Sequence, residues 1–218
     1  MQLTLSVVAI HTTSDMTTQV IFDLCGREKL VQELRDEVIS VISQEGWKKT
    51  ALYKLQLMDS FLKESQRMKP INIASLRRVA KEDIQLSDGT QIAKGVSLAV
   101  PKVWMWDEKF YEAPNTFDPY RFLKKRQTPG WGTHAHLITP SAKHLGWGLG
   151  NHACPGRFFA ANEIKIFLCH GLLKYDFQLA EGSVPQFRRQ GFALHADATA
   201  KISIRRRREE IVLEDITD

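Results

Sequence analysis

Residues 147–158 read Trp-Gly-Leu-Gly-Asn-His-Ala-Cys-Pro-Gly-Arg-Phe, and the fold turns on this stretch. Gly148 and Gly150 permit backbone turns closed to other residues, and Gly156 lies just beyond Cys154. Pro155 fixes φ immediately after the cysteine and has no N–H of its own. Arg157 is expected to begin a helix, which puts Cys154 just ahead of a helix N-terminus. The free N–H groups and partial positive charge there stabilise a thiolate. A sulfur anion so presented is a metal ligand or a nucleophile. A nucleophile needs a base, and His152, two residues away, points the same way in an extended loop. His152 also suits contact with an acidic group beside a metal. The plain alternative is a buried free cysteine in a turn made by glycines.

Downstream, Ala160, Ile164, Phe167, Leu168, Gly171 and Leu172 share one face of a strong helix. Residues 176–208 then suggest strands, with 200–204 the clearest. Upstream, residues 109–145 carry Pro114, Pro119, Pro129 and Pro140 and read as long and irregular, which usually means function or disorder. Three helices are expected before that. The first covers 3–24 and ends at Gly26. The second covers 28–44, with Val31, Leu34, Val38, Val41 and Ile42 at helical spacing, and stops at Gly46. The third runs over 52–68, ahead of Pro70. Residues 84–86, the turn 87–90 and residues 96–100 read as a small β-hairpin region. The class is mainly α with small β-sheets, α+β.

The chain has 218 residues, 43% apolar and 25% charged, the balance of an ordinary globular protein of one large domain or two small ones. A formal charge of +5 is modest for this length and does not point to nucleic acid. Much of the excess lies in Arg205–Arg208, followed at once by Glu209 and Glu210; a solvated, flexible tail over 205–218 is expected. The three cysteines, Cys25, Cys154 and Cys169, give no disulfide framework and favour a reducing compartment. There is no C-x-x-C pair to suggest structural zinc. No stretch is long and apolar enough to span a bilayer. Residues 1–10 are fairly apolar but lack a basic leader and a cleavage site. They run unbroken into 12–24, like a helix entered partway, so a fragment is expected.

On the third helix Leu57, Phe61, Glu64 and Met68 form a stripe, which sets Glu64 among apolar residues. A buried carboxylate is costly unless paired. Arg67, three residues on, is within reach and suits a bidentate contact. Arg121, in Phe117-Asp-Pro-Tyr-Arg-Phe122, is a surface arginine beside aromatics or the third partner of a Glu–Arg–Arg network. Thr12 and Thr13 read alone as helix hydroxyls bonding back to the preceding turn.

Taken in order, E-x-x-R at 64–67, F-x-P-x-R-F at 117–122 and G-x-G-x-H-x-C-x-G at 148–156 resemble the cytochrome P450 family. Ala9-Ile-His-Thr-Thr13 looks like the oxygen-binding segment of the family's long central helix. The run from His152 to Lys165 looks especially like fungal P450s of terpenoid and other secondary metabolism. The resemblance implies that residues 1–218 are the C-terminal part of the P450 fold, its N-terminal half absent. It implies haem b with Cys154 as the thiolate ligand and Trp147 and Gly148 in the cofactor loop. His152 and Arg78, or its neighbour Arg77, would contact haem propionates. Glu64, Arg67 and Arg121 would form the structural network, and Thr12 would deliver protons to bound dioxygen. It further implies a monooxygenase acting on an apolar small molecule, fed by NADPH-cytochrome P450 reductase at the cytosolic face of the endoplasmic reticulum membrane. Residues 71–76 would line the distal side. The alternative is a truncated, non-catalytic remnant with weak or no haem binding. Three residues depart from the family pattern: Trp147 where phenylalanine is usual, His11 where many members have a carboxylate, and Ala9 for glycine.

Overall fold

Six helices and four two-stranded antiparallel ribbons make up residues 2–216, which the computed structural model describes. Met1 of the apolar opening and Thr217–Asp218 of the expected tail lie outside the described residues. Helix α1 (Gln2–Leu24) buries Met16, Val20 and Leu24, spaced by four. Helix α2 (Glu28–Glu45) buries Leu30, Leu34, Val38 and Ile42 at the same spacing. Gly46, at φ +80°, ends it, its N–H donating to the Ile42 carbonyl. The expected third helix starts at Gln56 rather than near Leu52, and ends at Met68 as read. A single turn, α3 (Lys49–Leu52), is followed after Tyr53–Leu55 by α4 (Gln56–Met68).

Helix α4 is buried on every side: Leu57 to Arg67 are all inaccessible, polar residues included. Its N-terminus is capped from another helix. Glu37 of α2 accepts the Leu57 N–H at 2.6 Å and the Met58 N–H at 2.9 Å. A carboxylate there satisfies orphan donors and meets the positive end of the helix dipole. Burial nevertheless pushes the Glu37 carboxyl up from its ordinary value.

The strands form in pairs. β1 (Ala74–Val79) pairs with β4 (Ser97–Pro101), and β2 (Ile84–Gln85) with β3 (Gln91–Ile92). Residues 84–86 and 96–100, expected as one hairpin region, therefore belong to different ribbons. β2 turns back at Asp88-Gly89 onto β3, and β4 continues to reach β1. The β1–β4 register slips between Ser75 and Arg78, where Leu76 takes φ +53°, a costly backbone for a γ-branched residue.

The segment 109–145 contains one short helix, α5 (Arg121–Arg126), and is otherwise turns. Helix α6 (Arg157–Lys174) buries Ala161, Ile164, Leu168, Cys169 and Leu172 against α1, α2 and α3. Phe167, assigned by spacing to that face, is instead exposed, as are Phe158, Phe159 and Ile166. The helix is apolar on both sides, so periodicity did not distinguish its faces.

β5 (Tyr175–Leu179) follows α6 directly and pairs with β8 (Ile202–Arg206), while β6 (Arg188–Gln190) pairs with β7 (Ala193–His195). The stretch expected as a tail thus begins inside β8. Arg207 bonds to the Leu173 carbonyl and to Glu210, and Leu213 lies fully buried in the core. Arg35 of α2 joins this end of the chain, donating to the carbonyls of Leu172 and Tyr175 and to Asp176. Among the described residues no helix is long and apolar enough to cross a membrane.

Candidate functional site

Cys154 stands shortly before the first residue of α6 and is half-buried against the core. Its N–H donates to the Trp147 carbonyl at 2.8 Å, closing the loop. Gly148 (φ +79°) and Gly150 (φ +66°) take the left-handed conformation that the sequence reading required of them. A side chain at Gly148 would meet the His152 carbonyl at 3.5 Å. The Trp147 ring is buried, and its Nε1–H donates to the Leu137 carbonyl at 2.8 Å. Arg157 donates from Nη1 to the Cys154 carbonyl at 2.8 Å and from Nε to the Ile138 carbonyl at 3.1 Å. Both ends of the loop are thus tied to residues 137–138. Among the described residues none hydrogen-bonds to the Cys154 sulfur. His152 is exposed, in a single 3-10 turn.

Glu64, Arg67 and Arg121 are brought together in the interior. Glu64 has 0% of its side chain exposed, and both its oxygens accept from Arg67, at 2.8 Å each. Arg121 Nε sits 3.1 Å from both oxygens, and the Asp118 N–H is 3.1 Å from Oε1. Other guanidinium hydrogens go to carbonyls, Met105 for Arg67 and Glu112, Ala113 and Thr116 for Arg121. One carboxylate between two hydrogen-bonded guanidiniums meets the condition under which a buried ion group is tolerated. It locks α4 to the irregular segment.

Thr12 and Arg78 lie outside these contacts. The Thr12 hydroxyl donates to the Val8 carbonyl at 2.7 Å, the back-bond read for it alone. Arg78 is exposed on β1 and donates to the neighbouring Arg77 carbonyl. Thr13 and Thr17 of α1, with Ile10, Ile21, Glu163 and Phe167, line an open groove of about 440 Å³ between α1 and α6.

The sequence reading missed a second set of buried charges. Asp59 of α4 accepts the Leu137 N–H at 2.8 Å and pairs with Lys165 of α6 at 2.7 Å and with Arg126 at the end of α5. Burial raises the cost of its charge, but Lys165 and Arg126 outweigh this and hold its carboxyl below the usual value. Lys63 donates to the carbonyls of His134, His136 and Thr139 at 3.0, 2.6 and 3.0 Å. Burial pushes its ammonium down to about 7. Asp59 and Lys63 are four apart on one helix, a spacing that reads as an exposed pair. Their burial follows from the enclosure of α4, which no local pattern announces.

Chemically, Cys154 presents a single half-buried thiol. Among the described residues no group of three or more His, Cys, Asp or Glu side chains is arranged to hold a metal ion. A single thiolate at a helix N-terminus suits a metal whose other ligands arrive with it.

The family model described as Cytochrome P450 matches residues 2–200. The chain is 56% identical over 213 residues to cytochrome P450 monooxygenase adrA of Penicillium rubens, covering 97% of this chain and 41% of the relative. It is 51% identical to cytochrome P450 monooxygenase trt6 of Aspergillus terreus, covering 98% of this chain and 44% of the relative. With cytochrome P450 monooxygenase hepE of Aspergillus oryzae it shares 50% identity, over 94% of this chain and 38% of the relative. The chain thus spans about two-fifths of the length of these curated relatives. A cysteine loop tied back to Trp147, a buried Glu64–Arg67–Arg121 network and a family match over nearly the whole length place this chain in the cytochrome P450 family.

Proposed function

We propose that this chain is the haem-holding part of a fungal monooxygenase, with Cys154 as the axial thiolate of haem b. The observation that carries the reading is the lone, half-buried Cys154 sulfur ahead of α6, in a loop fixed by the Trp147 carbonyl. The donor set fits the group: one sulfur and no cluster of further protein ligands among the described residues. When bound, haem supplies dioxygen activation, which a proximal thiolate promotes by donating electron density.

The chain's own residues prepare the site. Gly148 and Gly150, in left-handed turns without side chains, would let a flat cofactor approach the loop backbone, and Trp147 ties the loop to Leu137. His152 and Arg78, both exposed, present cationic or hydrogen-bonding groups suited to propionates. Thr12 carries a hydroxyl on α1, donating to the Val8 carbonyl, that would serve as a proton donor on the cofactor's distal side. Glu64, Arg67 and Arg121 hold α4 and the irregular segment in register behind the loop. Residues 71–76, strained at Leu76, line the substrate side. The substrate is an apolar small molecule, terpenoid or related, of fungal secondary metabolism. Electrons come from NADPH-cytochrome P450 reductase, and the whole protein works at the cytosolic face of the endoplasmic reticulum membrane.

A second reading is a non-catalytic piece that holds haem weakly or not at all, and the exposed apolar side chains of α1 and α6 favour it. Ile10 on α1 is 63% exposed and Phe159 on α6 is 70% exposed. A carbon monoxide difference spectrum of the reduced chain separates the two. The thiolate-type Soret band is expected, and its loss in Cys154→Ser assigns the ligand. No haem uptake by the native chain establishes the second reading.

A further inference from the structure

The buried carboxylate of Asp59 is connected to the cysteine loop by an unbroken run of hydrogen bonds. Asp59 accepts the Leu137 N–H at 2.8 Å, the Leu137 carbonyl accepts the Trp147 Nε1–H at 2.8 Å, and the Trp147 carbonyl accepts the Cys154 N–H at 2.8 Å. Successive bonds meet at Leu137 and Trp147 but use separate groups of each residue, so the run links the two ends by fixing the positions of those residues. The near end is anchored from three helices: Asp59 belongs to α4, Arg126 ends α5 and Lys165 lies on α6. Lys165 is also fixed by the Leu52 carbonyl at 2.9 Å. The helix carrying Lys165 is the one that begins beside Cys154, so the same carboxylate fixes both routes to the sulfur.

From this we infer that Asp59 is a positioning residue for the Cys154 thiolate, acting through Leu137 and Trp147. The inference rests on Cys154 being the haem ligand only for its effect on iron; the effect on the loop stands without haem. Trp147 has a specific part in it. Its indole N–H is the donor that links Leu137 to the loop, and a phenylalanine has no such donor.

The test uses the full chain, Asp59→Asn, Trp147→Phe and the double variant, free of haem, with residue-resolved amide hydrogen exchange at Leu137 and Cys154. Asp59→Asn is expected to speed exchange at both amides, roughly fivefold for one weakened buried hydrogen bond, with helix content unchanged by circular dichroism. In the Trp147→Phe background the same substitution is expected to speed Leu137 alone. A Cys154 amide unmoved by Asp59→Asn, or moved equally with and without the indole, overturns the inference. If Asp59→Asn does not fold, Trp147→Phe alone decides: faster exchange at Cys154 with Leu137 unchanged supports the relay, and no change at Cys154 sinks it. In haem-loaded chain, Asp59→Asn is expected to shift the iron midpoint potential with Trp147 present and not with phenylalanine. Failure to take up haem refutes the ligand reading, while the amide measurements still decide the relay.

Discussion

Glu64 sits wholly out of water, its one negative charge held between the two guanidiniums of Arg67 and Arg121. Removing the one negative charge leaves Arg67 and Arg121 facing each other in the interior. Glu64→Gln is therefore expected to cost about 3–5 kcal/mol, read as a lower urea midpoint by circular dichroism. A midpoint lowered by under about 1 kcal/mol would mean the network is dispensable. The three cysteines also separate at this scale. Burial pushes the Cys169 thiol up to about 12 and raises Cys25 as well. Cys154 alone of the three is half-buried rather than buried. Iodoacetamide mapping of the haem-free native chain is expected to modify Cys154 well ahead of Cys25 and Cys169. Equal modification of all three would show that the interior opens freely.

Gly146 shows how tightly α4 meets the segment leading into the cysteine loop. A methyl group there would lie 2.0 Å from Gln66 Oε1 and 2.9 Å from His144 Cε1. Gln66 and His144 are both buried, so neither has open space to retreat into. Gly146→Ala is expected to destabilise by about 1–3 kcal/mol through overpacking; a thermal midpoint equal to the parent would show that Gln66 yields. The contact was invisible in the sequence, where Gly146 is one more glycine before a glycine-rich loop. The helices themselves were legible because Leu30, Leu34, Val38 and Ile42 repeat every four residues. The cysteine loop was legible because Gly148 and Gly150 allow left-handed turns and Pro155 fixes φ after the cysteine. Tyr53–Leu55, which separate α3 from the later start of α4, carry no glycine or proline to mark that start. Asp59, Lys63 and Lys165 were hidden because a charge on a helix looks the same whether its partner is water or a residue far along the chain.

Across the whole molecule, two features bear on how the protein behaves in solution. The first is Lys63, whose ammonium is buried and pushed from 10.5 down to about 7. Below about pH 7 the charged form is held out of water and the penalty is fully present. Between about 7 and 10.5 the unfolded chain binds a proton that the folded site does not, so stability rises with pH across that window. Urea titrations of the native chain and Lys63→Met at about pH 6 and about pH 9 are expected to show the native chain gaining on the variant at the higher value. Parallel behaviour would mean the three carbonyls keep the ammonium charged throughout. The second is the exposed apolar surface of α6, with Phe158, Phe159 and Ile166 along one pocket and Phe167 in the groove against α1. Such a patch binds apolar dyes and promotes association. Phe159→Glu with Phe167→Glu is expected to reduce anilinonaphthalene sulfonate fluorescence and light scattering, with a stability change within about 0.5 kcal/mol. The clamp of Arg35 on Leu172 spans 137 residues of sequence, and Leu213 plugs the core from beyond β8. During synthesis α2 emerges long before the carbonyls that Arg35 needs, and the core stays open until Leu213 arrives. The early helices therefore spend that interval with their apolar faces uncovered.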